Sequence, residues 1–232
     1  MLYKGVLVIC GRYTLTVSPE KISQTFGVMV QIQYGPRYNI APGQTVPVIG
    51  GEGAGRWLAL MRWGLIPHWA KEASIGHKLI NARAETMADK PSFRDSFRHR
   101  RCLIPADGFY EWKRDGKSSI PYRIVLPGQE LFAFAGLWDR WDALEGSVFS
   151  FTIITTAASP AMQGIHARMP VILSDEREYA AWLEGSDIGT LEKMLRPYEG
   201  RLHIYPVSRL VNSPRNDMPE LVREREDSIK ER

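Results

Sequence analysis

Two cysteines in 232 residues are too few for a disulfide framework, so this chain depends on an apolar core and suits a reducing, intracellular setting. No stretch approaches the ~20 consecutive apolar residues of a membrane span. The apolar run from Val6 to Ile9 is too short for the hydrophobic part of a secretory leader, and no small residue precedes Cys10. These absences predict a cytoplasmic protein with no membrane partner. Internal repeats and low-complexity tracts are also missing. Proline and glycine are scattered rather than clustered, which excludes a long flexible linker and implies many short connections. Nor is there a large excess of one charge: 30 Lys and Arg stand against 26 Asp and Glu, a net +4 that permits phosphate binding without requiring it.

What is present is an ordinary globular balance, 44% hydrophobic and 24% charged, with seven tryptophans and nine tyrosines that suit either stacking surfaces or a compact β core. Strand-like runs cover Val46 to Ile49, Trp57 to Trp63, Tyr122 to Leu126, Leu131 to Ala135, Phe149 to Thr155 and Leu202 to Pro206. Helical patterns cover Pro19 to Phe26, with Ser18 as N-cap and Pro19 at the first helical position, and Ser92 to Arg98, Asp175 to Leu183 and Ile188 to Leu195. Strands and helices do not alternate regularly, which argues against βαβ winding. The expected fold is α+β, a single domain built on a mixed, mainly antiparallel, barrel-like sheet with short peripheral helices. Residues 220–232 are highly charged, with only Leu221, Val222 and Ile229 as large apolar side chains, and are expected to fray.

Cys10 is the most chemically pointed residue. An amino-terminal cysteine carries an amine and a thiol on adjacent carbons, and this pair condenses with an aldehyde to an imine and then a thiazolidine ring. An α-amine is roughly a quarter neutral at pH 7.4, against ~0.1% of a lysine. Residues 1–9 would block that amine.

Three further segments are more polar than their apolar surroundings predict. In Leu79-Ile80-Asn81-Ala82-Arg83, Asn81 and Arg83 share a face if extended. Glu111 lies between Tyr110 and Trp112 after an apolar strand, where a carboxyl is expected to have a raised pKa and to move protons. His166 and Arg168 are again two apart. Each residue has a bland alternative: a satisfied backbone group for Asn81 or Glu111, a structural histidine for His166. Arg12, Arg83 and Arg168 would bind phosphate if these segments converge, or form surface ion pairs if they do not. Cys102, within an apolar strand, reads as core. The basic run Arg94, Arg98, His99, Arg100 and Arg101 reads as a solvated helix face.

In order, these segments resemble the SOS response-associated peptidase (SRAP) family, which shields abasic sites in single-stranded DNA. The matching pieces are Cys10-Gly11-Arg12-Tyr13, Tyr38-Asn39-Ile40-Ala41-Pro42-Gly43-Gln44, Arg62-Trp63-Gly64-Leu65-Ile66-Pro67-His68-Trp69 and Asn81-Ala82-Arg83-Ala84-Glu85-Thr86. They continue through Arg101 to Trp112, Phe134-Ala135-Gly136-Leu137-Trp138 and His166-Ala167-Arg168-Met169-Pro170. The resemblance implies a domain over residues 10–219 that acts as a monomer on single-stranded DNA with abasic sites, associated with the nucleoid on DNA damage, with no cofactor and no metal. It implies that Cys10 is the covalent nucleophile, that Asn81 positions the amine and the opened sugar, that Glu111 shuttles protons, and that His166 hydrogen-bonds the sugar oxygen. By the same resemblance, Arg12, Arg83 and Arg168 hold phosphates, and Pro42, Trp63 and Trp69 lie against bases. The two tryptophans could equally be core.

The chain departs from the family pattern at its front, because family members begin Met-Cys and here Ile9 stands before the cysteine. Either translation starts later, or the self-cleaving peptidase activity proposed for the family removes residues 1–9. Two other readings use the same residues: a cysteine-type hydrolase with Cys10, His166 and Asn81, and a non-covalent single-strand-binding module.

Overall fold

A computed structural model describes residues 11–52, 55–116, 118–144 and 146–225. Among the described residues there are thirteen strands, in chain order: β1 (Arg12–Leu15), β2 (Arg37–Ile40), β3 (Thr45–Glu52), β4 (Gly55–Trp63), β5 (Asn81–Arg83), β6 (Arg101–Ala106), β7 (Gly108–Asp115), β8 (Ser118–Val125), β9 (Phe132–Ala143), β10 (Gly146–Ala157), β11 (Arg168–Pro170), β12 (Ile172–Leu173) and β13 (His203–Pro206). Four short helices accompany them: α1 (Pro19–Phe26), α2 (Arg94–His99), α3 (Glu176–Glu184) and α4 (Ile188–Met194). α1 begins as its sequence predicts, with the Ser18 side chain accepting from Lys21 N, and ends on Gly27 in the left-handed region at φ 60°.

Strands β10, β4, β3, β6 and β9 close into a ring, with β10 and β4 parallel and every other contact antiparallel. This is the barrel that the sequence predicts. A second, antiparallel sheet runs in the order β13-β8-β7-β1-β2. The two sheets are joined almost without slack, because Asp107 alone separates β6 of the barrel from β7 of the second sheet. Its carboxylate accepts from the hydroxyls of Thr14 and Thr16 and from Thr16 N at 2.6 Å, tying β1 to this corner.

Apolar residues at alternate strand positions meet in one large core. An aromatic group bridges the sheets: Tyr13 of β1 packs edge-on against Trp63 of β4 and Phe134 of β9, with ring centroids 5.4 and 5.7 Å apart, and Phe109 of β7 meets Phe134 at 5.9 Å. Such ring pairs add about 0.5–1.5 kcal/mol each beyond the area they bury. Cys102 is buried in this core, where burial pushes its thiol pKa well up and leaves it a poor nucleophile. Gly64 (φ 123°) turns the chain out of β4, and a Cβ there would stand 2.6 Å from the carbonyl oxygen of Gly76. That approach leads the chain into β5, which carries Asn81.

Two expectations change. The basic run is not simply a solvated face: Arg101 donates to the carbonyls of Phe97, Arg98, Trp182 and Gly185, and Arg100 pairs with Asp95 and Asp139. Residues 220–225, expected to fray, are packed. Leu221 is buried beside Tyr110, Tyr205, Val207 and Val211 in a second small core, and Arg225 N donates to Pro206 O at 2.8 Å. One apolar side chain amid charges suffices because a pocket on the outer face of β7 receives it. Residues 226–232 lie outside the described residues. Among the described residues, no helix is long and apolar enough to cross a membrane.

Leu221→Ala should lower the unfolding free energy by about 2–5 kcal/mol, the usual cost of truncating a buried leucine. Urea titration of the full chain measures this, and a loss under about 0.5 kcal/mol, typical of surface substitutions, would show that the segment does not dock.

Candidate functional site

Glu111 lies inside β7, where the alternation of the strand turns it to the face opposite Tyr110, and it is only 2% exposed. It lines a cavity of about 600 Å³ together with Trp112, Lys113, Arg114 and Ser119 of β7 and β8. The opposite wall is the loop Gln163–Ala167, which brings His166 into the same cavity. Glu111 and His166, 55 positions apart in the chain, therefore share one site.

The loop is held by short turns. Met162 is fully buried and its carbonyl accepts from Ile165 N at 2.8 Å and His166 N at 3.0 Å. The imidazole Nδ1 lies 3.1 Å from the backbone N–H of Arg168. That N–H can only donate, whereas the Arg168 carbonyl oxygen, 3.2 Å from the same Nδ1, can only accept; with Nδ1 accepting from the N–H, the neutral ring carries its proton on Nε2. Nε2 is buried and has no hydrogen-bond partner among the described residues. A buried polar atom left unpaired is costly, and an oxygen in the cavity would satisfy it.

The remaining predicted residues divide. β5 and β11 flank the same stretch of β10, with Asn81 opposite Ile153, Arg83 opposite Thr155 and Arg168 opposite Ala157. Asn81, Arg83 and Arg168 are thus gathered along one strand, near the loop that carries His166. The Arg83 guanidinium is exposed, with no hydrogen-bond or ion-pair partner among the described residues. Arg168 instead forms a two-pronged pair with Glu85, 2.9 Å at each prong, and donates to Thr155 O at 2.6 Å. The hydrogen bond from Arg168 holds the Glu85 carboxyl below its ordinary pKa.

Trp69 is 49% exposed on a loop pinned by His68, whose backbone N–H and Nδ1 both meet the buried Asp139. Pro42, half-buried, sits on the turn whose Gly43 N donates to Trp63 O at 2.8 Å. Trp63 itself is 1% exposed, between Tyr13 and Phe151, and its indole N–H is spent on Ile80 O. It is a core residue and has no free face for a base. Arg12 does not line the cavity either. It turns to the outer face of the second sheet, where it donates to Asn39 Oδ1, Val211 O and Asn212 O. Cys10 lies outside the described residues. The first described residue, Gly11, is buried and directly precedes the Arg12–Tyr110 pair, on the side toward Glu111.

Sequence reasoning missed Lys113, Arg114 and Ser119. Lys113 was within reach of it, since it stands two positions beyond Glu111 and so on the same face. Among the described residues, no group of three or more His, Cys, Asp or Glu is placed to hold a metal.

Residues 9–214 match the family model for "SOS response associated peptidase (SRAP)". The chain belongs to this family. The SRAP protein is 48% identical over 222 residues to "Abasic site processing protein YoqW" of Bacillus subtilis, covering 92% of this chain and 99% of that one. It is 35% identical to "Abasic site processing protein HMCES" of Xenopus tropicalis, covering 91% of this chain and 77% of the relative. A crystal structure of a protein from Bacteroides thetaiotaomicron superposes with a TM-score of 0.85 at 27% identity, covering 93% of this SRAP protein and all of that chain.

The tautomer assignment is directly testable. In the neutral protein, ¹⁵N-resolved NMR should show His166 protonated at Nε2 and unprotonated at Nδ1. A proton on Nδ1 would mean that the ring donates to Arg168 O instead.

Proposed function

We propose that this SRAP protein processes abasic sites in single-stranded DNA and shields them by a covalent thiazolidine link through Cys10 as its first residue. The observation that carries the reading is the shared cavity: a buried carboxyl and an unpaired imidazole donor face one space at the edge of the sheet where Gly11 enters. The names of the relatives supply the substrate class.

The chemistry balances without a redox partner. The Cys10 amine adds to the aldehyde carbon of the ring-opened deoxyribose to give a carbinolamine. Loss of water gives an imine, and the thiol adds to the imine carbon to close the ring, so aldehyde and aminothiol become thiazolidine and water. Glu111 delivers a proton to the departing hydroxyl and collects one from the thiol. His166 donates from Nε2 to the sugar oxygen released on ring opening, and Asn81 orients the amine and the opened sugar. Arg83 and Arg168 bind flanking phosphates, while Trp69 and Pro42 offer apolar surface to neighbouring bases, contacts that any base sequence satisfies. Glu85 already occupies the fork of Arg168, so a phosphate must displace it.

The amine is available only if Cys10 is first. Protein translated from Met directly followed by Cys10 should form an adduct with abasic single-stranded DNA that survives denaturing electrophoresis, and the chain kept intact from Met1 should not. Equal adducts from both would overturn the thiazolidine route. Glu111→Gln should slow adduct formation at least ~100-fold, since a positioned proton-transfer group contributes roughly 10²–10⁴-fold, with DNA affinity near normal. His166→Ala should form adduct but release it abnormally slowly.

Binding should follow the free and the occupied arginine differently. Arg83→Glu should weaken single-strand affinity and flatten its salt dependence. Glu85→Gln should strengthen affinity about 2–10-fold by releasing Arg168, a differential of order 1 kcal/mol. Fluorescence anisotropy across salt concentrations reads both, and unchanged affinity in Glu85→Gln would remove Arg168 from the phosphate track.

A further inference from the structure

Among the described residues, β1 is four residues long and pairs with β7 from Arg12 opposite Tyr110 to Thr14 opposite Gly108. A short strand with so few paired positions opens locally unless further contacts tie it down. What ties it is the segment around residues 209–217, which crosses the outer face of the second sheet. Arg12 Nη1 donates to Val211 O at 2.6 Å and Asn39 Oδ1 at 2.8 Å, and Nη2 donates to Asn212 O at 3.1 Å. Three of the five donors of this guanidinium are thereby taken. The side chain of Asn212 accepts from Trp112 Nε1 at 2.7 Å, and the Arg12 guanidinium lies 5.9 Å from the centre of that indole ring.

One residue therefore holds two strands at a single level. Asn212 grips β1 two residues after Cys10 by its carbonyl, and grips β7 one residue after Glu111 by its amide oxygen. All of these contacts lie on the face opposite the Glu111 side chain, since Arg12, Tyr110 and Trp112 leave their strands on the outer side.

We propose that Arg12 and Asn212 are positioning residues, a clasp that fixes the amino-terminal strand against the Glu111 strand and so sets the distance between nucleophile and proton carrier. This rests on the covalent reading above. Arg12 acts here as a fastener and not as a phosphate ligand, because a phosphate would have to displace the carbonyls that secure the strand. Reacting groups must be held within about an ångström, and a displacement of that size costs roughly 100-fold in rate.

Two arms test the clasp. In the full chain from Met1, Arg12→Ala, which removes the donors to the Asn39 side chain and to the Val211 and Asn212 carbonyls, should raise amide hydrogen exchange at positions 12 and 13 about tenfold over their intrinsic rates while barrel amides stay unchanged, as expected of local opening. In the form beginning at Cys10, Asn212→Ala and Arg12→Lys should each slow adduct formation at saturating abasic oligonucleotide about tenfold, a partial loss of positioning. The dissociation constant, measured with Cys10→Ala also present, should stay within about twofold, and Asn212→Asp, which keeps the acceptor for Trp112, should recover most of the rate. Rescue by Asp separates positioning from a general loss of structure.

Unchanged rates in both variants, with adduct forming normally in the parent, would overturn the clasp and leave the covalent reading standing. Weakened affinity in Arg12→Lys at an unchanged rate constant would also overturn it and return Arg12 to the phosphates. A parent protein that forms no adduct would overturn the covalent reading itself. The exchange arm then decides the clasp alone, and unaltered exchange at positions 12 and 13 would overturn it.

Discussion

Alternation along a β-strand governs the geometry of this protein. Because β1 and β7 pair with Arg12 opposite Tyr110, consecutive residues are divided between the two faces of the sheet. Tyr13, Phe109 and Glu111 go inward. Arg12, Tyr110 and Trp112 go outward, to be covered by the residues around Val211 and Leu221. A slip of one residue would exchange every one of these assignments, placing the Glu111 carboxyl under the carboxy-terminal segment. The register is secured from both sides: by the aromatic joint of Tyr13, Phe109 and Phe134 within, and by the bonds of Arg12 without.

The barrel then decides what faces Glu111. β10 reaches past the closed ring, and its free length accepts β5 on one side and β11 on the other. Segments some eighty residues apart in sequence are aligned in this way on one strand. The connection from β10 to β11 carries His166, and the carbonyl of the buried Met162 accepts from the backbone N–H groups of Ile165 and His166. Asp107, the one residue between barrel and second sheet, gives the two walls of the cavity little freedom to move apart.

Much of this was legible in the sequence. The long strands announced themselves by apolar runs and alternation, and α1 by its serine cap and proline. The barrel-like sheet followed from the lack of regular alternation between strands and helices. The site was legible as residue types in order, but not as geometry. Glu111 and His166 meet only because β7 and the loop before β11 oppose each other, a non-local fact with no local pattern. Trp63 misled because a tryptophan reads the same whether it stacks on a base or on Phe151. The partners of Arg12 were illegible for a related reason: two of the three are main-chain carbonyls, which every residue possesses and no sequence pattern advertises. Leu221 was one apolar residue among charges, too little for any periodic signal, yet it fills a closed pocket.

The order in which the chain is made bears on when β1 can be fastened. Arg12 leaves the ribosome early, but the carbonyl of Asn212 that receives it lies 200 positions downstream. At typical elongation rates of about 5–20 residues per second, that interval is roughly 10–40 seconds. Throughout it the β1 strand has no carboxy-terminal segment to fasten it. A nascent chain therefore carries Arg12 long before it carries the carbonyls of Val211 and Asn212 that Arg12 binds.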